Sequence, residues 1–310
     1  MEKETKQKPV VEWWQSPDAR PELEACLAKL NEAPDATDPI SIFSLFSQAL
    51  NLPWAGKGRL DNQRKRSDSQ GIVDILLAIP ASRQEELCDA PEMLALANFV
   101  PHIMNVKTLR ESELYVPGEA IPPKLKSDAS VEHRQLANAL QRWRDERKEE
   151  ARSQTLKKLG TLLYTVRSNI AHGEKTMRGP DLAKAERDRQ VCEITLPMIH
   201  TVEDVLLDHP TQKLIAYGTL KPSEPNHVVL EPLTDQEWLD IEIEGTMIDL
   251  AGGLKGFRWC DSRTRHKAML LKSSQLPSLW GRLDSFEGRA YRRTLATALV
   301  GELTVVAMIY

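Results

Sequence analysis

The chain has 310 residues, enough for two domains or one large one. Its 41% apolar and 28% charged residues fit a folded globular protein and exclude wholesale disorder. With 41 basic against 45 acidic residues the net charge is −4, which argues against nucleic-acid binding by bulk charge and leaves room only for a local basic site. No apolar run approaches the roughly eighteen residues that a membrane span needs, so no membrane partner is expected. Met1–Val10 is charged and lacks the apolar stretch of a secretory signal. Cys26, Cys88, Cys192 and Cys260 form no CxxC pair, so neither a disulfide framework nor a zinc ribbon is expected, and a reducing cytoplasm fits. No metal or cofactor is called for.

From Pro21 to about Asp208 the signals are helical, and from Lys213 to Tyr310 they are mostly those of strands, with the break at Asp208-His209-Pro210-Thr211. This predicts an N-terminal extension over 1–38, a helical domain over 39–208 and a mixed α+β domain over 213–310. Ile42, Phe43, Leu45, Phe46, Ala49 and Leu50 recur at helical spacing. Asn51–Ser69, with Pro53, Gly56, Gly58, Arg59, Arg64, Lys65 and Arg66, reads as a basic loop. Ile72–Ile79 and Glu92–Met104 read as core helices, and Val116–Ser130, with its three prolines, as a loop. The interleaved charges of Val131–Arg152 predict one long solvated helix. Leu156, Leu159, Leu163, Val166 and Ile170 then make an apolar stripe that Gly173 is placed to end. A last helix is expected over Leu182–Leu207, with Pro197 inside it.

In the C-terminal part, Lys213–Tyr217 reads as a short buried strand that turns at Gly218, and Glu242–Leu250 and His266–Leu271 as two more. Leu276, Leu279, Trp280, Leu283 and Phe286 give a short amphipathic helix, with Trp280 and Phe286 in the core and Gly288 at its end. Arg292–Leu299 and Leu303–Tyr310 make a hairpin around Gly301-Glu302. Several short strands with one helix predict a small mixed barrel or curled sheet behind a helical bundle.

Two stretches of this part carry a resemblance. Tyr217-Gly218-Thr219-Leu220-Lys221-Pro222 follows the first strand, and Leu283-Asp284-Ser285-Phe286-Glu287-Gly288, then Tyr291-Arg292-Arg293, follows the helix. Together they resemble the γ-glutamylcyclotransferase family over essentially Leu214–Tyr310. The resemblance implies a reaction in which the α-amine of a small γ-glutamyl metabolite attacks its own γ-carbonyl, closing 5-oxoproline and releasing an amine. It implies Glu287 as the proton shuttle and the Tyr217–Leu220 turn as a source of backbone N–H donors. Tyr217 reads either as part of that turn or as a core tyrosine at a strand end, Glu287 either as that shuttle or as a solvated acid at a helix end, and Tyr291 either as packing or as pocket lining.

A second resemblance lies in Arg167-Ser168-Asn169-Ile170-Ala171-His172, which is similar to the Arg-polar-x-x-x-His motif of HEPN domains. Where that motif carries Asn directly after Arg, this chain has Ser168, with Asn169 one place later. The resemblance implies a helical, homodimeric, metal-independent endoribonuclease or RNA-binding module, with His172 moving a proton and Arg167 neutralising transition-state charge. Residues five apart on a helix differ by about 140°, so the pair shares a phosphate only where the helix ends or where two helices face across a dimer axis. The other reading makes Arg167 and His172 polar groups that cap a helix and pair with acids. Gly56-Lys57-Gly58-Arg59 is not a Walker loop, and His172-Gly173-Glu174 lacks the downstream Pro-Cys-x-x-Cys of a deaminase.

The sequence thus supports three functions. One is an RNA-directed helical module coupled to the cyclotransferase-like domain, a fusion suited to a bacterial toxin or phage-defence role. The second is a metabolic cyclotransferase with a dimerisation scaffold. The third is a non-catalytic sensor of a small metabolite.

Overall fold

The computed structural model describes residues 20–32, 68–98, 131–171, 182–250, 255–260 and 262–310; a few side chains within these spans, that of Asn169 among them, fall outside the description. The helix expected at Ile42–Leu50, the basic loop up to residue 67, the loop Val116–Ser130, and His172 and Gly173 lie outside the described residues. The chain divides into two compact units, Met1–Asn31 with Leu207–Tyr310, and Glu32–Leu206. Helix α1 (Arg20–Glu32) runs to the boundary of the first unit.

The second unit is helical throughout its described residues: α2 (Asp68–Ala78), α3 (Ala81–Asp89), α4 (Pro91–Ala97), α5 (Val131–Glu146), α6 (Glu149–Ala171) and α7 (Leu182–Leu206). Prolines punctuate it. Pro80 precedes α3 and Pro91 opens α4, where a missing N–H costs nothing. The Gln84 amide donates to the carbonyls of Leu77 and Ile79, satisfying acceptors that the end of α2 leaves open. The charged stretch Val131–Arg152 is two helices rather than one. Arg147 takes a positive φ of 52° and breaks the run, and its guanidinium pairs with Asp89, which also accepts from the Trp143 indole. The first of these helices is not merely solvated either, since Leu136, Leu140 and Trp143 lie buried on one side of it. Leu156, Leu159, Leu163 and Val166 form the expected buried stripe on α6. Gly160 lets α2 approach closely, because a Cβ there would stand 2.8 Å from Val73 Cγ2.

The first unit is built around a barrel of β1 (Lys213–Ala216), β2 (Glu237–Asp249), β4 (Arg265–Lys272), β5 (Thr294–Val300) and β6 (Leu303–Ile309), with β3 (Lys255–Trp259) attached to the far end of β2. The strand order is β3-β2-β4-β1-β6-β5, and the pairing of Glu242 with Leu299 joins β2 to β5 and closes five strands on themselves. All neighbours are antiparallel except β1 and β6. The interior takes one side of every strand: Ile215, Ile241, Ile243, Ala268, Leu270, Ala296, Ala298, Ala307 and Ile309. Four alanines fit the narrow lumen of so few strands. The other side of β1, Leu214 and Ala216, packs with Leu271 against helix α8 (Leu276–Glu287) through Leu276, Leu279, Trp280 and Leu283. Burial on both faces explains why β1 reads as a continuous apolar run. Phe286, expected in the core, is 42% exposed because it stands in the last turn of α8, at the edge of the stripe that those four residues define.

β2 changes partner midway. Up to Glu244 it pairs with β4, and from Gly245 it pairs with β3. A Cβ on Gly245 would meet the Arg258 carbonyl oxygen at 2.2 Å, so only glycine permits the crossing. Past the crossing, β5 is left without a strand on that side at Leu295, and helix α1 supplies the missing partner. The Asn31 amide accepts from the Leu295 N–H and donates to its carbonyl, imitating a neighbouring strand.

Two outcomes follow from this packing. Gly245→Ala should destabilise the barrel by about 2 kcal/mol or more, since a backbone oxygen cannot move aside as a side chain can; the midpoint of thermal unfolding measures it. In the helical unit, Glu203 on α7 is buried and its Oε2 finds no hydrogen-bond partner among the described residues. Burial, with Asp204 adding to it, pushes its carboxyl up to about 8. The folded state therefore holds a proton that the unfolded state loses at ordinary carboxylate pH. That contribution to stability is whole below pH 4.5 and declines as pH rises to about 8. Chemical denaturation across that window should show the decline in the wild type and a flatter profile in Glu203→Gln.

Candidate active site

A cavity of about 210 Å³ opens at the C-terminal end of β1, lined by Ile215–Leu220, Lys255, Glu287, Tyr291 and Tyr310. Three separate parts of the chain build it. β1 ends at Ala216 and delivers the turn Tyr217–Leu220. Helix α8 ends at Glu287 because Gly288 adopts a positive φ of 67°, its N–H returning to the Asp284 carbonyl. β3 begins at Lys255 and forms the opposite wall. The cavity therefore brings together Tyr217, Gly218, Thr219, Leu220, Glu287 and Tyr291, all singled out in the sequence. Tyr291 lines it, and Tyr217 packs at 5.7 Å from Phe257 as well as lining it.

The turn is rich in open donors. Its carbonyls are engaged, that of Gly218 by Lys221 N–H and that of Thr219 by Asn226 N–H. The N–H groups of Gly218, Thr219 and Leu220 meet no acceptor among the described residues. A Cβ on Gly218 would meet nothing within 4 Å, so the main chain is unshielded there. Three consecutive unsatisfied N–H groups beside a cavity form a concave anion site.

Glu287 supplies the opposite character. Burial pushes its carboxyl above the ordinary carboxylate range, and no cation among the described residues pairs with it. A carboxylate so placed accepts a proton more readily, and keeps it to higher pH, than an ordinary carboxylate. Its charge reaches the surrounding phenols. Tyr217, Tyr291 and Tyr310 are all pushed up, by burial first, with the Glu287 carboxylate adding to each.

Lys255 and Tyr310 line the cavity without having been singled out in the sequence. The signal for Lys255 was the alternation of Phe257 and Trp259 in a strand of only five residues. Tyr310 stood at the end of an expected strand, with nothing to distinguish it from packing. Arg167 and Ser168 stand half-buried in the last turn of α6, whereas His172 and the Asn169 side chain lie outside the described residues. Among the described residues, no group of three or more His, Cys, Asp or Glu side chains is placed to hold a metal ion, and no helix is long and apolar enough to cross a membrane.

The barrel has a second cavity at its other end, near the start of β1, but its charges answer one another. Lys213 pairs with Asp208, Lys272 lies 3.7 Å from Glu237, and Asp235 accepts from Ser274 N–H and from both serine hydroxyls, Ser273 and Ser274. Of these two cavities, the Glu287 one holds unspent polarity of both signs.

No family model, curated protein or solved structure matches the chain.

The desolvated carboxylate has a measurable signature. A carboxyl whose folded pKa is raised stabilises the fold below its unfolded value and loses that contribution as pH rises through the folded one. Glu287→Gln should therefore unfold at a higher temperature than the wild type at pH 8 and at the same temperature at pH 4.

Proposed function

We propose that the C-terminal unit cyclises γ-glutamyl amides, releasing 5-oxoproline and an amine. The observation that carries this reading is the placement of the unpaired, desolvated Glu287 carboxylate in one small cavity with the open N–H groups of the Gly218–Leu220 turn. The sequence likeness of Tyr217–Pro222 and Leu283–Arg293 to γ-glutamylcyclotransferases supports the same assignment.

The chemistry asks little more of the protein. A γ-glutamyl amide holds its nucleophile, the α-amine, and its electrophile, the γ-carbonyl carbon, in one molecule. Binding it folded supplies the proximity that the reaction needs. Glu287 takes a proton from the α-ammonium. The freed amine adds to the γ-carbonyl, a five-membered ring closes, and negative charge gathers on the carbonyl oxygen. Backbone N–H groups of the turn stabilise that oxygen or the α-carboxylate beside it. Glu287 then returns its proton to the departing nitrogen as the amide bond breaks, and the extra proton left on the ring nitrogen passes to the released amine, which leaves as an ammonium, so the carboxylate ends as it began. A carboxyl with an ordinary pKa would be a poorer donor at the second step, and burial corrects that.

Incubating the full-length protein with γ-glutamyl amides of several amines and detecting 5-oxoproline by mass spectrometry tests the assignment. The wild type should release it, with kcat/KM falling on the acid side below a pKa that lies above the ordinary carboxylate range. Glu287→Gln should lower kcat by about 10²–10⁴-fold, the usual contribution of a positioned acid–base group. Equal release by Glu287→Gln, or none by the folded wild type across the panel, overturns the assignment.

A further inference from the structure

One helix holds both borders of the wedge that opens between β2 and β5. Toward its N-terminal end, α1 grips β2 just before the crossing, where Arg20 pairs with Glu244 at 2.9 Å. Glu24 supports this end, 2.8 Å from Arg20 and 2.7 Å from Arg263 in the connection from β3 to β4. At the C-terminal end, Asn31 grips the start of β5. Its side-chain amide accepts from the Leu295 N–H at 2.8 Å and donates to the Leu295 carbonyl at 2.9 Å. Its own carbonyl accepts from the Arg292 guanidinium. Between these ends, Leu23, Cys26, Leu27 and Leu30 share one face of α1 and are at most 3% exposed, so the helix is packed as well as tethered.

The same two borders carry two walls of the Glu287 cavity. Tyr291 directly precedes Arg292, in the short connection from α8 to β5. Lys255 opens β3, which hangs on β2. The Tyr291 hydroxyl bridges the two sides by donating to the Lys255 carbonyl at 3.0 Å. Such a bond is lost within about half an ångström of stretch, so it depends on the separation of the strands behind it. The Glu287 carboxylate pushes the Tyr291 phenol up, which sets the two side by side. The other groups that face the cavity are occupied. Tyr217 donates to the Tyr310 carbonyl, Tyr310 donates to Asp284, and the Lys255 ammonium pairs with Asp249.

We infer that Asn31 is a positioning residue for Glu287. By standing in for a strand beside Leu295, it sets the gap between β5 and the β2–β3 pair, and so holds Tyr291 against Lys255 as the wall that keeps water from the carboxylate. The residue type fits the task. Asparagine presents a donor and an acceptor on one planar group, as a neighbouring strand would; aspartate keeps only the acceptor, and alanine neither. A side chain 264 residues before Leu295 in the chain thereby completes the cavity. The catalytic consequence rests on the proposed cyclisation, whereas the dependence of Glu287's surroundings on Asn31 does not.

A double-mutant cycle in the full-length protein reads that dependence without any reaction. Glu287→Gln should raise the unfolding temperature at pH 8 and not at pH 4, because the acid carries a burial cost that the amide lacks. In an Asn31→Ala background the gain at pH 8 should shrink by about half or more, since water admitted at the wall favours the charged carboxylate. Asn31→Asp, which keeps the bond from the Leu295 N–H, replaces Asn31→Ala in the cycle if the latter does not fold. If α1 only adds stability, Asn31→Ala lowers the unfolding temperature equally with and without Glu287→Gln at both pH values. That additive result, or no gain from Glu287→Gln in the wild-type background, overturns the inference. With a γ-glutamyl amide as substrate, Asn31→Ala should lower kcat about tenfold, leave KM nearly unchanged and move the acid limb toward the ordinary carboxylate range. A shrunken gain in a protein that releases no 5-oxoproline would keep the role of Asn31 and sink the cyclisation; release together with an additive cycle would do the reverse.

Discussion

The close approach of Gly245 to the Arg258 carbonyl is the constraint from which the first unit's architecture unfolds. Because β2 can cross β3 there without a side chain in the way, one strand serves two partners in succession. Its first half closes the barrel through β4 and β5. Its second half carries β3 out along a different line, and β3 brings Lys255 to the cavity and Phe257 against Tyr217. The same divergence strips β5 of a neighbour at Leu295, and an exposed strand edge invites mispairing. Helix α1 closes that edge with one amide side chain, which ties a segment nearly two hundred residues upstream into the barrel's hydrogen bonding. Without the crossing, neither the wall of the cavity nor the need for α1 would exist.

Much of this was legible in the sequence, for reasons that can be traced. β5 and β6 are short, mostly apolar runs on either side of Gly301-Glu302, and α8 carries four apolar residues at helical spacing before a glycine. Such patterns report burial directly. β3 was not legible, because five residues with two aromatics are too short a run to separate from a loop. The break between α5 and α6 was hidden for a different reason. Arg147 and Lys148 are good helix formers, and only the tertiary pairing of Arg147 with Asp89 makes the left-handed turn worthwhile. Phe286 keeps the helical spacing, three residues after Leu283, but stands in the last turn of α8 at the edge of the stripe and is exposed. Of the cavity, the turn and the glutamate could be read because each sits at a punctuated end of an element. Tyr310 and Asp284 could not be read as a pair, because only the fold brings the hydroxyl of one to the carboxylate of the other.

Two glutamates in the same unit show how environment, more than residue type, assigns a role. Glu244 is buried, and burial pushes its carboxyl up; but the hydrogen bond and charge of Arg20, with Arg263 and Arg265 behind them, outweigh that and hold it below its ordinary value. It is a fixed anion, and its network joins α1 to β2 through Arg20, Glu24 and Arg263 and reaches β4 through Arg265. Glu287 suffers the same desolvation and receives no cation. Its carboxyl moves up instead, because burial disfavours the charged form and nothing offsets it. The arginines that could have neutralised it are engaged elsewhere: Arg293 with Asp284 and the Trp280 ring, and Arg292 with the Asn31 carbonyl. An acid left unpaired beside three tyrosines that offer it no hydrogen costs the fold stability. The carboxylate of Glu244 carries no such cost, because its cations come from the protein itself.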